Sequence, residues 1–231
     1  PGRSDKGKKL ALAVCLALAP LSAPAQEKVV HVYNWSDYID PRSLEAFTKE
    51  TGIKVVYDTY DSNEMLEAKV LAGKTGYDLV VPTTTFLQRQ IQAGAHQKLD
   101  RGKLKNYAGL WPDLMKLLAS YDPGNAYAVP YMWGTTGIAY NVEKVKARLG
   151  ETPVNTWDMI FKPENLKKLA DCGVYVLDSP EDLFTNALNY LKLSPNSKKP
   201  EELRKASEML QKMRPNVKKF HSSEYINALA S

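Results

Sequence analysis

The chain has 231 residues and a formal charge of +5, from 31 Lys and Arg against 26 Asp and Glu. Arg3, Lys6, Lys8, Lys9 and Asp5 carry +3 of that within the first 26 residues, so +2 remains for the rest, too small a surplus to call for nucleic acid or another polyanion. Two cysteines, Cys15 and Cys172, and three scattered histidines, His31, His96 and His221, exclude a Cys/His metal cluster, and no metal or cofactor is expected.

Residues 1–26 read as a signal peptide. Lys6, Lys8 and Lys9 form a basic start, Leu10 to Leu21 is an apolar stretch too short to span a bilayer, and Ala23-Pro24-Ala25 before Gln26 is a small-residue cleavage site. Cys15 invites a lipoprotein reading, but Val14 precedes it and the apolar run continues past it, so an exported mature chain starting near Gln26 is favoured. About 205 residues then remain, enough for one large domain or two smaller lobes. Cys172, alone in the mature part, has no internal disulfide partner.

In chain order, Val29 to Tyr33 predicts a strand, Pro41 to Glu50 a helix stopped by Gly52, and Ile53 to Tyr57 a second strand. Asp61 with Glu64 three residues on resembles a capping box for a helix to Ala72 closed by Gly73, and Asp78 to Val81 predicts a third strand. That βαβαβ order implies a mostly parallel sheet covered by helices. Helices are expected near Phe86 to Ala93 and Asp113 to Ala119, followed by a turn at Asp122-Pro123-Gly124-Asn125. The apolar run from Tyr127 to Tyr140 predicts two strands, with Trp133 to Gly137 as a passage between lobes. Beyond it the pattern gives helices at Val142 to Leu149, Asn165 to Ala170, Pro180 to Leu191, Glu201 to Met213 and Ser223 to Ala230, with a strand at Val174 to Leu177. The stop at Ser231, inside a helical pattern, is expected to be a C-terminal truncation.

Ligands of parallel α/β sheets gather outside the carboxyl ends of the strands. Trp35-Ser36-Asp37-Tyr38 follows the first strand and Thr83-Thr84-Thr85-Phe86 the third, so both fall on one rim. Asp40-Pro41 is accounted for as an N-cap followed by proline at the first helical position. An indole, a hydroxyl, a carboxylate and a phenol in four successive residues exceed what capping needs and suit a cation, although Trp35 or Tyr38 could instead plug the core. Ser179-Pro180-Glu181-Asp182 reads first as a helix cap with two acids near the helix dipole, and second as a carboxylate facing Asp37 across a cleft. Catalytic signatures are weak: neither H-E-x-x-H nor G-x-S-x-G occurs, and Gly73-Lys74-Thr75 lacks the earlier glycine of a phosphate loop, Ala68 standing there. No enzyme is expected and no catalytic residue is assigned.

Longer runs carry a resemblance. YNWSDYID, ETGIKVVYDTYDSNEMLEAKVLAGKTGYDLVVPTTTFLQRQ, PYMWGTTGIAYNVEKV, WDMIFKPENLKKLADCGV, LDSPED and HSSEYINALA together resemble the polyamine-binding proteins of bacterial ABC importers, in particular the putrescine-binding periplasmic type. The resemblance covers Lys28 to Ser231. It implies an α/β, two-lobed periplasmic binding protein of type II, each lobe a mostly parallel sheet flanked by helices, with the C-terminal part missing. The expected division is signal peptide 1–26, N-terminal lobe 27–134 and second lobe 135–231, both lobes incomplete.

The resemblance further implies a monomer that captures putrescine or a related polyamine in the periplasm and hands it to an ABC permease in the inner membrane. Its ligand residues would be Trp35, Ser36, Asp37, Tyr38, Thr83, Thr85 and Asp182, with Glu181 as a substitute where the shorter Asp182 falls short of the family's glutamate. Family chains run on by roughly a further third and supply a cysteine that pairs with the one matching Cys172. The fragment itself is therefore expected to bind weakly or not at all. A spermidine-preferring or broad polyamine receptor and a polyamine sensor are the alternatives.

Overall fold

The computed structural model of the chain describes residues 27–230, and the signal-peptide reading of residues 1–26 lies outside them. The first part of the fold comprises β1 (Val29–Trp35), α1 (Pro41–Thr51), β2 (Lys54–Tyr60), α2 (Asn63–Ala72) and β3 (Leu79–Val80). The strands lie in the order β2-β1-β3 and all pair parallel, with Val29 opposite Lys54, Trp35 opposite Tyr60 and Tyr33 opposite Val80. This is the arrangement that the βαβαβ order predicts.

Local signals set the helix ends. The Asp40 carboxylate accepts the Arg42 N–H at 2.9 Å and Pro41 opens α1, while Gly52, at φ 70°, ends it by donating to the Thr48 carbonyl. At α2 the cap differs from the sequence expectation. Ser62, in extended conformation, accepts the Met65 N–H at 3.2 Å, which places the cap one residue beyond Asp61. The hydroxyl of Ser62 reaches the third helical N–H, so the helix starts at Asn63 and Asp61 has no capping duty.

Beneath β1 the packing is aromatic. Tyr33 is stacked on Tyr77 with ring centroids 4.5 Å apart and meets Tyr60 edge-on at 4.7 Å. Lys69 holds its ammonium 4.4 Å from the Tyr33 ring centre, and the Tyr77 hydroxyl donates to Asp58 at 2.8 Å. Leu66 of α2 is fully buried in the same cluster.

Next come α3 (Thr84–Gln92), α4 (Pro112–Leu118) and a tight turn at Pro123–Asn125, in which Gly124 and Asn125 take the left-handed φ values of 73° and 49°. The preceding Asp122 is completely buried. Its carboxylate accepts three backbone N–H groups, from Ala126 at 3.0 Å, Tyr127 at 2.8 Å and Ala128 at 3.0 Å. Three directed donors stabilise a charge that burial alone would disfavour.

The two strands predicted between Tyr127 and Tyr140 are not formed: residues 126–141 hold no helix or strand. Their alternating apolar pattern suits a pleated surface, but an extended run becomes a strand only where a neighbour offers a hydrogen-bonding edge. Among the described residues no strand pairs with this run.

The chain resumes with α5 (Val142–Leu149), α6 (Asp158–Phe161), α7 (Pro163–Leu169), β4 (Tyr175–Val176), α8 (Pro180–Tyr190), α9 (Pro200–Met213), β5 (Lys219–Phe220) and α10 (Tyr225–Ala230). β4 and β5 pair parallel, so α8 and α9 form the crossover. β5 has no counterpart among the strands expected from the sequence; it is two residues long and flanked by Lys218 and His221. One large apolar cluster organises this part: Leu166, Leu188, Met159, Ala187 and Ala206 are essentially inaccessible, and Val145, Leu149, Phe161, Leu169, Val174 and Met213 close around them.

Candidate functional site

Both segments expected on one rim are there. Trp35 ends β1 and Ser36 to Tyr38 lead from it toward α1, while Thr83 to Thr85 follow β3 into α3. They line a cleft of about 2070 Å³ that residues 131–141 and the start of α8 line as well.

Trp35 is half-buried and serves two surfaces at once. Its indole N–H donates to the Val81 carbonyl at 2.8 Å and its ring lies 4.8 Å from Tyr60, which anchors it in the aromatic core; another part of it lines the cleft 6.0 Å from Tyr38. The core-plug and cleft-wall readings of this residue are therefore compatible. Ser36 is held by its N–H on the Tyr60 carbonyl at 3.0 Å.

Asp37 adopts a left-handed backbone, φ 62°, a conformation that Asp tolerates better than most side chains. It is exposed to the cleft, and its carboxylate has no hydrogen-bond or ion-pair partner among the described residues. Tyr38 is 46% exposed, and its carbonyl accepts the Tyr131 hydroxyl. Burial, helped by the nearby Tyr225 and Asp182, raises the Tyr38 pKa above the ordinary phenol value, so the group stays a neutral donor at physiological pH. Tyr60 is raised much further, mainly by burial.

Thr83 occupies the cap position of α3 without using its hydroxyl for the cap, and its N–H donates to Asn63 at 3.1 Å. Asp182 lies in the first turn of α8. Its N–H is capped by Ser179 at 3.3 Å, while its carboxylate faces the cleft and accepts the Thr136 hydroxyl at 3.3 Å. Thr85 and Glu181 stand apart from the other six residues: they are outside the cleft lining, and the Thr85 hydroxyl donates to the Glu181 carboxylate at 2.7 Å.

Further residues line the cleft that the sequence reading did not select. Asp61, taken there for a cap, is half-buried with no partner for its carboxylate among the described residues. Its signal was the adjacent Ser62, an equally good capping residue. Tyr131, Trp133, Thr136 and Tyr225 also line it. Tyr131 was hidden inside a predicted strand, Trp133 and Thr136 inside the predicted passage between lobes, and Tyr225 inside a helical pattern with no polar anomaly.

Chemically, the cleft presents the carboxylates of Asp37, Asp61 and Asp182 among the rings of Trp35, Tyr38 and Trp133. Unpaired carboxylates favour a cation, and aromatic faces add about 0.5–2 kcal/mol for each well-placed ammonium.

Comparison with known proteins defines the family. A profile described as bacterial extracellular solute-binding protein matches residues 43–230, most of the chain. The chain belongs to that family of bacterial extracellular solute-binding proteins. Among relatives of this solute-binding protein, the putrescine-binding periplasmic protein SpuD of Pseudomonas aeruginosa is 57% identical over 223 residues, covering 96% of this chain and 61% of that protein. The putrescine-binding periplasmic protein PotF of Escherichia coli is 56% identical, covering 94% and 59% respectively.

Among solved structures, the Tp0655 (TpPotD) lipoprotein of Treponema pallidum superposes with a TM-score of 0.75 at 30% identity, covering 88% of this chain and 60% of that one. The spermidine/putrescine ABC transporter substrate-binding protein PotD of Streptococcus pneumoniae gives 0.64 at 34% identity, covering 87% and 59%. The α/β periplasmic-binding-protein fold expected from the sequence is thus met. The solute-binding protein spans about three fifths of the length of the curated relatives it matches. These relatives are named for binding and not for catalysis, several are named periplasmic, and no helix among the described residues is long and apolar enough to cross a membrane.

Proposed function

We propose that this protein is a periplasmic receptor that captures putrescine or a closely related polyamine and delivers it to an ABC permease. The observation that carries the proposal is the cleft, which Asp37 and Asp61 from the ends of β1 and β2 and Asp182 from the start of α8 line with carboxylates suited to a linear dication, with Trp35 and Tyr38 among the same lining. The high identity to two putrescine-binding proteins supports the same ligand class.

In this reading residues 27–134 form the first lobe and 135–231 the second, and the chain passes between them through the residues around Trp133 to Gly137. Closure around the ligand excludes water and strengthens each ammonium–carboxylate pair as the local dielectric falls. A ligand favours the closed form only through contacts that it makes with both lobes at once. The protein is monomeric, is exported through its N-terminal segment, and performs no chemistry on the solute. Mass spectrometry after incubation with putrescine should accordingly return the diamine unchanged.

The ligand contact is tested by isothermal titration calorimetry on the full-length protein. Asp37→Asn should weaken putrescine binding by more than roughly tenfold, the scale of one charge-assisted contact. Unchanged affinity would remove Asp37 from the site. Spermidine titrated in parallel separates a putrescine receptor from a broader polyamine receptor.

A further inference from the structure

Thr85 and Glu181, 96 positions apart in sequence, share the only side-chain hydrogen bond among the described residues that runs directly from α3, which packs on α2, to α8, which contributes Ala187 and Leu188 to the second core. Each stands in the first turn of its helix. The bond is short, 2.7 Å, and neither partner lines the cleft. The next residue on the α8 side, Asp182, does face the cleft, and Tyr38 lies near enough to Asp182 and Tyr225 for both to perturb its phenol.

We propose that Thr85 and Glu181 are a positioning pair that holds the two lobes together beside the ligand, so that Glu181 sets affinity by favouring closure and not by touching the bound amine. This rests on the binding function proposed above. Thr85 reaches across from the first lobe, and its hydroxyl can meet the carboxylate only when the first turns of α3 and α8 approach. Glu181, spent on that hydroxyl, leaves Asp182 as the carboxylate that faces the solute from the second lobe. The arrangement divides adjacent acids by task, and it is the opposite of treating Glu181 as a spare ligand for the ammonium.

The test is a double-mutant cycle in the full-length protein, read by calorimetry with putrescine and by small-angle X-ray scattering with and without it. Thr85→Val and Glu181→Ala should each weaken binding about fivefold, the scale of one hydrogen bond to a partly exposed carboxylate. The double variant should lose no more than either single one, because both remove the same bond. Thr85→Ser keeps the hydroxyl and should restore wild-type affinity, which a loss of packing alone would not allow. Scattering should show both single variants more expanded than wild type at equal ligand saturation, with melting temperatures unchanged.

Losses that multiply in the double variant, or Thr85→Ser behaving like Thr85→Val, would overturn the pairing. A large loss in Glu181→Ala beside a silent Thr85→Val would make Glu181 a ligand residue instead. If the wild type binds no putrescine, the functional reading fails by itself. Scattering of the unliganded proteins then decides the pair: a more compact wild type supports it, and identical profiles refute it.

Discussion

The two halves of the molecule are stabilised by different means. Residues 142–220 gather eleven buried apolar side chains into one cluster, with Leu166, Ala187 and Ala206 at zero exposure. The largest cluster of the first half holds three buried residues, Tyr33, Tyr60 and Leu66, and is completed by half-buried Trp35 and Tyr77 and by polar ties such as Tyr77 to Asp58. Five of the six sequence-selected residues that line the cleft, Trp35 to Tyr38 and Thr83, belong to the half with the smaller core. Its aromatic residues serve as core on one side and as cleft wall on the other, so binding surface is gained where apolar burial is given up.

Substitutions can sharpen or break that contrast. Leu166→Ala, at the centre of the second core, should cost about 4 kcal/mol in urea unfolding, since its close-packed surroundings cannot collapse into the space left. Asp122→Ala leaves the three N–H groups of Ala126, Tyr127 and Ala128 without their acceptor and should cost about 3 kcal/mol, with Asp122→Asn recovering part of it. Leu66→Ala, equally buried but in a small cluster completed by partly buried Trp35, Val70, Tyr77 and Val80 that can relax, should cost about 2 kcal/mol. Equal losses for Leu166→Ala and Leu66→Ala would mean that the halves are alike after all.

The mildest probe is pH. Lys162 and Tyr190 hold Asp158 below the usual carboxylate range, Arg148 does the same for Asp171, the Ser197 hydroxyl and Lys199 for Glu202, and Lys219 for Glu224. In the first half, among the described residues, only Asp40, beside Arg42, is similarly lowered. A carboxyl depressed by folding stabilises the native state above its unfolded value near 4, and that contribution is lost as pH falls through the folded value. The melting temperature should therefore drop modestly below about pH 4, with near-ultraviolet circular dichroism from Trp157 changing before that of Trp35. An identical melting temperature at pH 6 and pH 3 would contradict it.

Much of this was legible in the sequence because it is decided locally. The Asp40-Pro41 start, the Gly52 and Gly73 stops and the parallel order of the first three strands follow from adjacent residues, as does the position of Trp35 to Tyr38 on the rim. What escaped was decided at a distance. Whether 127–140 forms strands depends on a neighbouring edge, and β5 exists only because β4 lies beside it. That Glu181 is taken up by Thr85 while Asp182 faces the cleft turns on the first turn of α8, where two consecutive acids point in different directions. Asp61 was lost to a local rule for which Ser62 competed and won.

The buried carboxylate of Asp122 has a bearing on how such a molecule can move. By gripping the backbone through Ala128, it turns the root of the connecting span into a fixed post. In the proposed two-lobed receptor any swing of one core against the other falls downstream, in a stretch that carries Gly134 and Gly137 and is tied into no ladder among the described residues. In that proposed receptor the turning point lies away from Trp35, so the wall that this residue forms keeps its shape as the cleft closes.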